Sequence, residues 1–332
     1  MTSLIWIGFI GCHSLFIPDQ GGNSDELHAE VQQIMRTAMT SDGKTLWCQL
    51  GMWELIAVDL ETNQVQPVYR RRNDAIGNWG ISFDGRTVLY SNQDNEVEII
   101  RDGATLISEQ VPECQRLLTD LAANGQSGIR VANGTLARYW KFSEDDPLVV
   151  DFTLEIPAGK LALDPRGQVL AVSTLTNGIA LYDVMNGVRI HSFRDDSRHV
   201  KSLLFSDDGG LLAVVQDRNV IVYDAPSGEK LWLTKMSEGV PFISLAFTRE
   251  SGWLAATSPA AGIQIFDARE GTPLHRLPVE AEFPRIAFAR SSDVIYSTSG
   301  NGTLRTWSIS ENREMSRVDL IQRLNEGRKS KR

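Results

Sequence analysis

One unit of about 42 residues recurs along this chain, and that period restricts the fold more than any single motif does. The copies are clearest in the C-terminal half, where LALDPRGQVLAVSTLTNGIALYDVMNGVRIHSF is followed by SLLFSDDGGLLAVVQDRNVIVYDAPSGEKLWL. Then come SLAFTRESGWLAATSPAAGIQIFDAREGTPLHRL and IAFARSSDVIYSTSGNGTLRTWSI, in the same order of apolar run, turn, apolar run, turn and aromatic. The residue after that aromatic falls at Asp59, Arg101, Lys141, Asp183, Asp224, Asp267 and Ser308, at intervals of 42, 40, 42, 41, 43 and 41. A second anchor, a turn glycine, falls at Gly43, Gly85, Gly125, Gly167, Gly209 and Gly252, at intervals of 42, 40, 42, 42 and 43. Two independent anchors thus hold one period over seven copies.

Within a copy the apolar runs are short, rich in Val, Ile and Leu, and bounded by Asp, Gly, Ser and Asn, as in Gly210 to Val215 and Asn219 to Tyr223. Such runs read as strands joined by tight turns. Four strands per copy with no helical period between them, repeated every 40 to 45 residues, describe a propeller blade, which buries its faces only against neighbouring blades. The expected fold is all-β: a seven-bladed beta-propeller of four-stranded antiparallel blades over residues 24–315, with eight blades as the other reading. The apolar content, 42% of 332 residues at a mean hydropathy of -0.19, suffices for such cores.

The turn, strand, turn, strand pattern of SDDGGLLAVVQDRNVIVYD, and STSGNGTLRTWS in the last copy, resemble the WD-repeat family over roughly residues 35 to 310. The terminal Trp-Asp pair of that family is here Tyr182-Asp183, Tyr223-Asp224, Phe266-Asp267 and Trp307-Ser308, and the Gly-His before the first strand is absent, with only Arg198-His199 near that slot. The resemblance implies a rigid platform for protein partners. Propellers of this kind close by letting the N-terminus supply the outer strand of the last blade, and Asp25 to Val31 is expected in that role.

The ends carry their own expectations. Residues 1–23 read either as a lipoprotein-type signal and tether, with Phe9-Ile10-Gly11-Cys12 resembling a lipobox, or as a partial extra blade with strands at Leu4 to Phe9 and His13 to Ile17. The first places the protein at a membrane or in the periplasm through Cys12, the second in the cytoplasm. Residues 316–332 read as a basic tail, with Arg328, Lys329, Lys331 and Arg332 solvated and Ser316 to Leu324 forming a short helix or, with eight blades, Asp319 to Leu324 completing the partial one.

Thirty-three Lys and Arg against 42 Asp and Glu give a net charge of -9, which argues against nucleic acid or an anionic bilayer as a general partner. No apolar run reaches the roughly 18 residues needed to span a bilayer. Cys12, Cys48 and Cys114 lack CxxC spacing, so neither a disulfide framework nor a metal site is expected. The five histidines, His13, His28, His191, His199 and His275, fall in unrelated slots of the repeat, and no HExxH, GxSxG, Walker-type or GxGxxG motif occurs. The acidic groups Glu144-Asp145-Asp146 and Asp195-Asp196 read as solvated turns, and Asn133-Gly134 and Asn301-Gly302 as hairpin turns.

No catalytic residue, cofactor or metal is therefore assigned, and a monomer with a protein partner is expected. The b-to-c and d-to-a loops of all blades gather on one face around the central channel, where this reading places Trp53, Arg70, Arg71, Arg72, Trp79, His199 and Arg218. Trp and Arg are enriched at interface hot spots, and guanidinium groups suit an acidic partner segment. Trp140 and Trp307 occupy the terminal aromatic slot and read as core. The alternative is a propeller-type hydrolase or lactonase acting at the channel mouth.

Overall fold

The structure, a computed structural model, describes residues 34–51, 54–70, 76–143, 146–174, 178–193, 200–216, 218–235, 242, 244–248, 252–259, 261–279, 284–289 and 293–329. They form seven four-stranded antiparallel sheets, each built from strands consecutive in the chain. The blades, numbered 1 to 7, span residues 34–70, 76–110, 117–153, 158–193, 200–235, 244–277 and 285–319, with strands a to d in chain order. First strands of neighbouring blades touch, as Ile76–Ile81 does with Leu117–Leu121 and Ile34–Met39 with Arg285–Phe288. Strand a is therefore innermost, lining the axis, and strand d outermost.

Stacking explains the continuous apolar runs. Leu211–Gln216, strand b of blade 5, is buried at every position. Side chains alternate across a strand, so a run that is apolar throughout needs cover on both faces. Ala213 and Val215 join Val220 and Val222 against Leu254 and Phe266 of blade 6. Their neighbours Leu212 and Val214, with Ile221 and Tyr223, pack on Leu181 and Phe193 of blade 4. The outer strand Leu148–Thr153 has no such cover and is only partly buried at best.

The repeat anchors acquire physical reasons. Trp140, Tyr182, Tyr223, Phe266 and Trp307 are buried, and Val58 fills the slot in blade 1. The residue after it caps the c-to-d turn: Asp59 Oδ1 accepts the Glu61 and Thr62 amides at 3.0 and 2.7 Å, and Asp267 Oδ1 those of Arg269 and Glu270 at 2.9 and 2.8 Å. The turn glycine is required twice over at Gly167, where φ is +70° and a Cβ would lie 1.8 Å from Ser127 Oγ of the preceding blade. At Asn133-Gly134 both residues have positive φ, 50° and 83°, as a type I′ hairpin turn demands.

Ring closure differs from the expectation. Blade 7 takes its outer strand from Arg313–Asp319, the chain's own continuation, so the place expected for Asp25 to Val31 is filled; residues 1–33 lie outside the described residues. The last segment also corrects the reading of 316–332 as a free basic tail. Ser316 and Val318 pair with Thr306 and Leu304 in strand d, and a helix then runs over Leu320–Lys329 rather than from Ser316, so Asp319 to Leu324 completes no eighth blade. Asp319 caps it, accepting the Gln322 amide at 2.9 Å. Leu320 and Leu324 are buried against Ile56, Val58 and Val65 of blade 1 and Leu304 of blade 7. Arg328 pairs with the buried Glu54, and Arg285 Nε donates to Met35 O at 2.7 Å across 250 residues of chain. Helix and side chains hold the seam between blades 7 and 1 where the expectation placed an exchanged strand.

Candidate functional site

Strand a of every blade starts at the face that carries the d-to-a loops and b-to-c turns. Three residues before its end, the seven blades place Arg36, Asn78, Leu118, Lys160, Ser202, Ser244 and Arg285 in one layer. Two residues deeper lie Ala38, Gly80, Asp120, Ala162, Leu204, Ala246 and Ala287. The upper layer holds three cations and no acid. The lower is small and apolar apart from Asp120.

Arg116 adds a further cation, reaching from the connection before blade 3 to the carbonyl of Gly159 in blade 4. The Lys160 ammonium has no hydrogen-bond or ion-pair partner among the described residues. Its pKa is held below the usual lysine value by burial first, then by the positive charges of Arg36, Arg116 and Arg285. Blades 1 and 7 stand across the ring from blade 4, so those charges meet Lys160 through the channel. Arg36 is open to solvent yet surrounded by protein, because water reaches it only along the axis. Burial lowers its pKa, opposed by the charge of Asp120, and its Nη1 makes only long contacts, 3.4 Å each, to Asn78 Oδ1 and Trp79 O. Burial pushes the Asp120 carboxyl up to about 6, against the Leu163 amide that donates to Oδ2 at 2.7 Å, the Leu121 amide and the charge of Arg36.

At and below the lower layer lies a cavity of about 250 Å³ lined by Ala38, Leu204, Ala246, Ala287, Phe205 and Phe288, with Asp207 also in its lining. Beside the mouth, a groove of about 370 Å³ runs between Gln115, Arg116, Asn133 and Pro157. Among the described residues, no three His, Cys, Asp and Glu side chains stand together as a metal-ligand set. His191 and His275 serve packing in outer strands, the first contacting Pro226 O at 2.7 Å and the second lying tilted against Trp253, with ring centroids 5.7 Å apart.

The residues expected from the sequence fare unevenly. Trp79 is corrected: it lies within strand a of blade 2, Ile76–Ile81, and is 5% exposed, with its indole N–H donating to Gln49 Oε1 of blade 1 at 2.8 Å. It cannot be offered to a partner. The repeat register could have shown this, since Trp79 shares its slot with Leu203, Leu245 and Ile286, which are all core. Arg218 is exposed in a b-to-c turn, and the backbone of Arg70 ends strand d of blade 1. Trp53, Arg71, Arg72, His199 and Cys12 lie outside the described residues. Sequence reasoning missed Arg36, Arg116, Lys160 and Arg285. The signal was charge read down a column of the repeat, where Arg36, Lys160 and Arg285 coincide.

No protein-family model matches the chain, and no curated protein matches it in sequence. Among solved structures it is similar to the Cps50 (Swd1) beta-propeller domain of Myceliophteria thermophila, with a TM-score of 0.69, 15% identity, and coverage of 83% of this chain and 97% of that one. At that identity the likeness concerns the fold: both are beta-propellers.

Proposed function

We propose that the protein is a non-catalytic, WD-repeat-like propeller that serves as a platform for a protein partner, engaged by the face around the channel mouth through an acidic segment. The observation that carries this is the convergence of Arg36, Arg116, Lys160 and Arg285 on one end of the axis in a protein whose net charge is -9. An acidic protein that gathers cations at one place favours an anionic partner there and repels it elsewhere. Trp53, Arg71, Arg72 and His199, which the repeat register assigns to loops of that face, with Arg70 at the end of strand d and Arg218 in a b-to-c turn, would extend the contact outward, with Arg gripping carboxylates in paired hydrogen bonds. A hydrolase or lactonase would need acid and base groups converging at the mouth, whereas cations converge there and Asp120 is the one described acid of the two layers.

The test is affinity capture from the native host with the wild type, with Arg71→Glu/Arg72→Glu and with Lys160→Glu. The expected result is one reproducible partner, rich in Asp and Glu, lost with both variants while the Arg71/Arg72 double variant changes thermal stability by less than about 0.5 kcal/mol. Undiminished capture by both variants overturns the assignment of this face.

A further inference from the structure

We propose that the channel mouth is an oxyanion-binding site in which Lys160, Arg36 and Arg285, with Arg116 at the rim, close on one compact oxyanion, a phosphate group or a carboxylate. Three features of the ring carry this. Lys160 is open to channel water yet surrounded by protein, with no counter-ion among the described residues, and it faces like charges across the axis. Cations gathered round one axis repel each other, and an anion arriving from outside relieves that repulsion. The layer beneath consists of Ala38, Gly80, Ala162, Ala246 and Ala287 beside Leu204, which leaves space on the axis directly below the cations. Asp120, in that same layer, repels an anion that would pass deeper, so the ligand stops at the mouth.

The same geometry limits the ligand. The cations sit on the innermost strands, recessed from the outer surface of a protein with net charge -9. A nucleic-acid duplex, which needs a convex or grooved basic surface along many phosphates, does not fit. A single oxyanion does, since Arg offers a planar fork of donors and Lys a point charge. The inference does not depend on the platform reading, because free phosphate would bind whether or not a protein partner exists.

Isothermal titration of the full chain with inorganic phosphate tests it, with a short oligoglutamate peptide as the second arm and sodium chloride of equal ionic strength as the control. Saturable one-site binding of phosphate, weakened at least about tenfold by Lys160→Glu, is expected; about tenfold corresponds to about 1.4 kcal/mol. Tighter binding of the peptide than of phosphate would name a carboxylate-bearing segment as the source, and the reverse order a free phosphate. Should Lys160→Glu fold poorly, Ser202→Glu places an acid in the same layer without removing a cation and must weaken binding likewise. Absence of saturable binding of both probes, or binding undiminished in both variants, overturns the proposal. Failure of partner capture alongside intact phosphate binding would instead overturn the platform reading alone.

Discussion

Removing the side chain of Leu324 should loosen the whole ring, although the residue lies past the last strand. Leu324 and Leu320 are 1% and 0% exposed, and both belong to the core shared by blades 7 and 1. Truncation to Ala forfeits the transfer free energy of the buried methyl groups and leaves a cavity, together about 2–5 kcal/mol. A domain is stable by only about 5–15 kcal/mol, so the loss is a substantial fraction of the total. Among the described residues no exchanged strand crosses the seam, and the helix, the Arg328–Glu54 pair and the Arg285 bond to Met35 O tie it together. Urea unfolding of Leu324→Ala should therefore show a loss in that range, while Asn325→Ala, one residue on and exposed, should change stability by less than about 0.5 kcal/mol. Hydrogen exchange should rise first in Ile34–Met39 and Arg285–Phe288, which meet at the seam. Equal stability of the two variants, with unchanged exchange in those strands, would refute the assignment of the helix as the closing element.

Three further outcomes follow from particular contacts. The Asp120 carboxyl has its folded-state pKa raised to about 6, so the folded state takes up a proton between about pH 4 and 6 and stability falls as pH rises through that window. Asp120→Asn should then match the wild type below about pH 3.5 and exceed it at pH 8 by at most about 3 kcal/mol, less where channel water screens the charge; parallel pH–stability curves would contradict this. Glu109 accepts from Arg130 at 2.6 Å and from Arg138 at 3.1 Å, joining blades 2 and 3, so Glu109→Ala should cost about 3 kcal/mol in chemical denaturation by leaving a mostly buried guanidinium unpaired, and a neutral result would show the pair to be dispensable. Gly167→Ala should destabilise by more than the ~1 kcal/mol of an ordinary left-handed alanine, because its Cβ also meets Ser127 Oγ; a paired Ser127→Gly should recover part of the loss, and no recovery would place the cost in the backbone alone.

The sequence by itself determined the blade. Its strands, hairpin turns and aromatic slot depend on residues within one copy, and local patterns such as the turn glycine and the capping Asp repeat in register, so the period alone specified seven sheets of four strands. It also held the start of the last helix, since Asp319 is the local capping residue that sets the helix to begin there rather than at Ser316. What the tertiary structure decided is everything that depends on how one copy meets another. Trp79 is core because Gln49 of the adjacent blade satisfies its N–H, and no property of the residue itself distinguishes that from an exposed hot spot. Closure by a helix instead of an exchanged strand depended on which surface the residues after Asp319 could cover. The cationic mouth arises because a ring brings Arg36, Lys160 and Arg285, up to 249 residues apart in the chain, onto one axis, where their charges act on each other through space that the linear sequence does not represent.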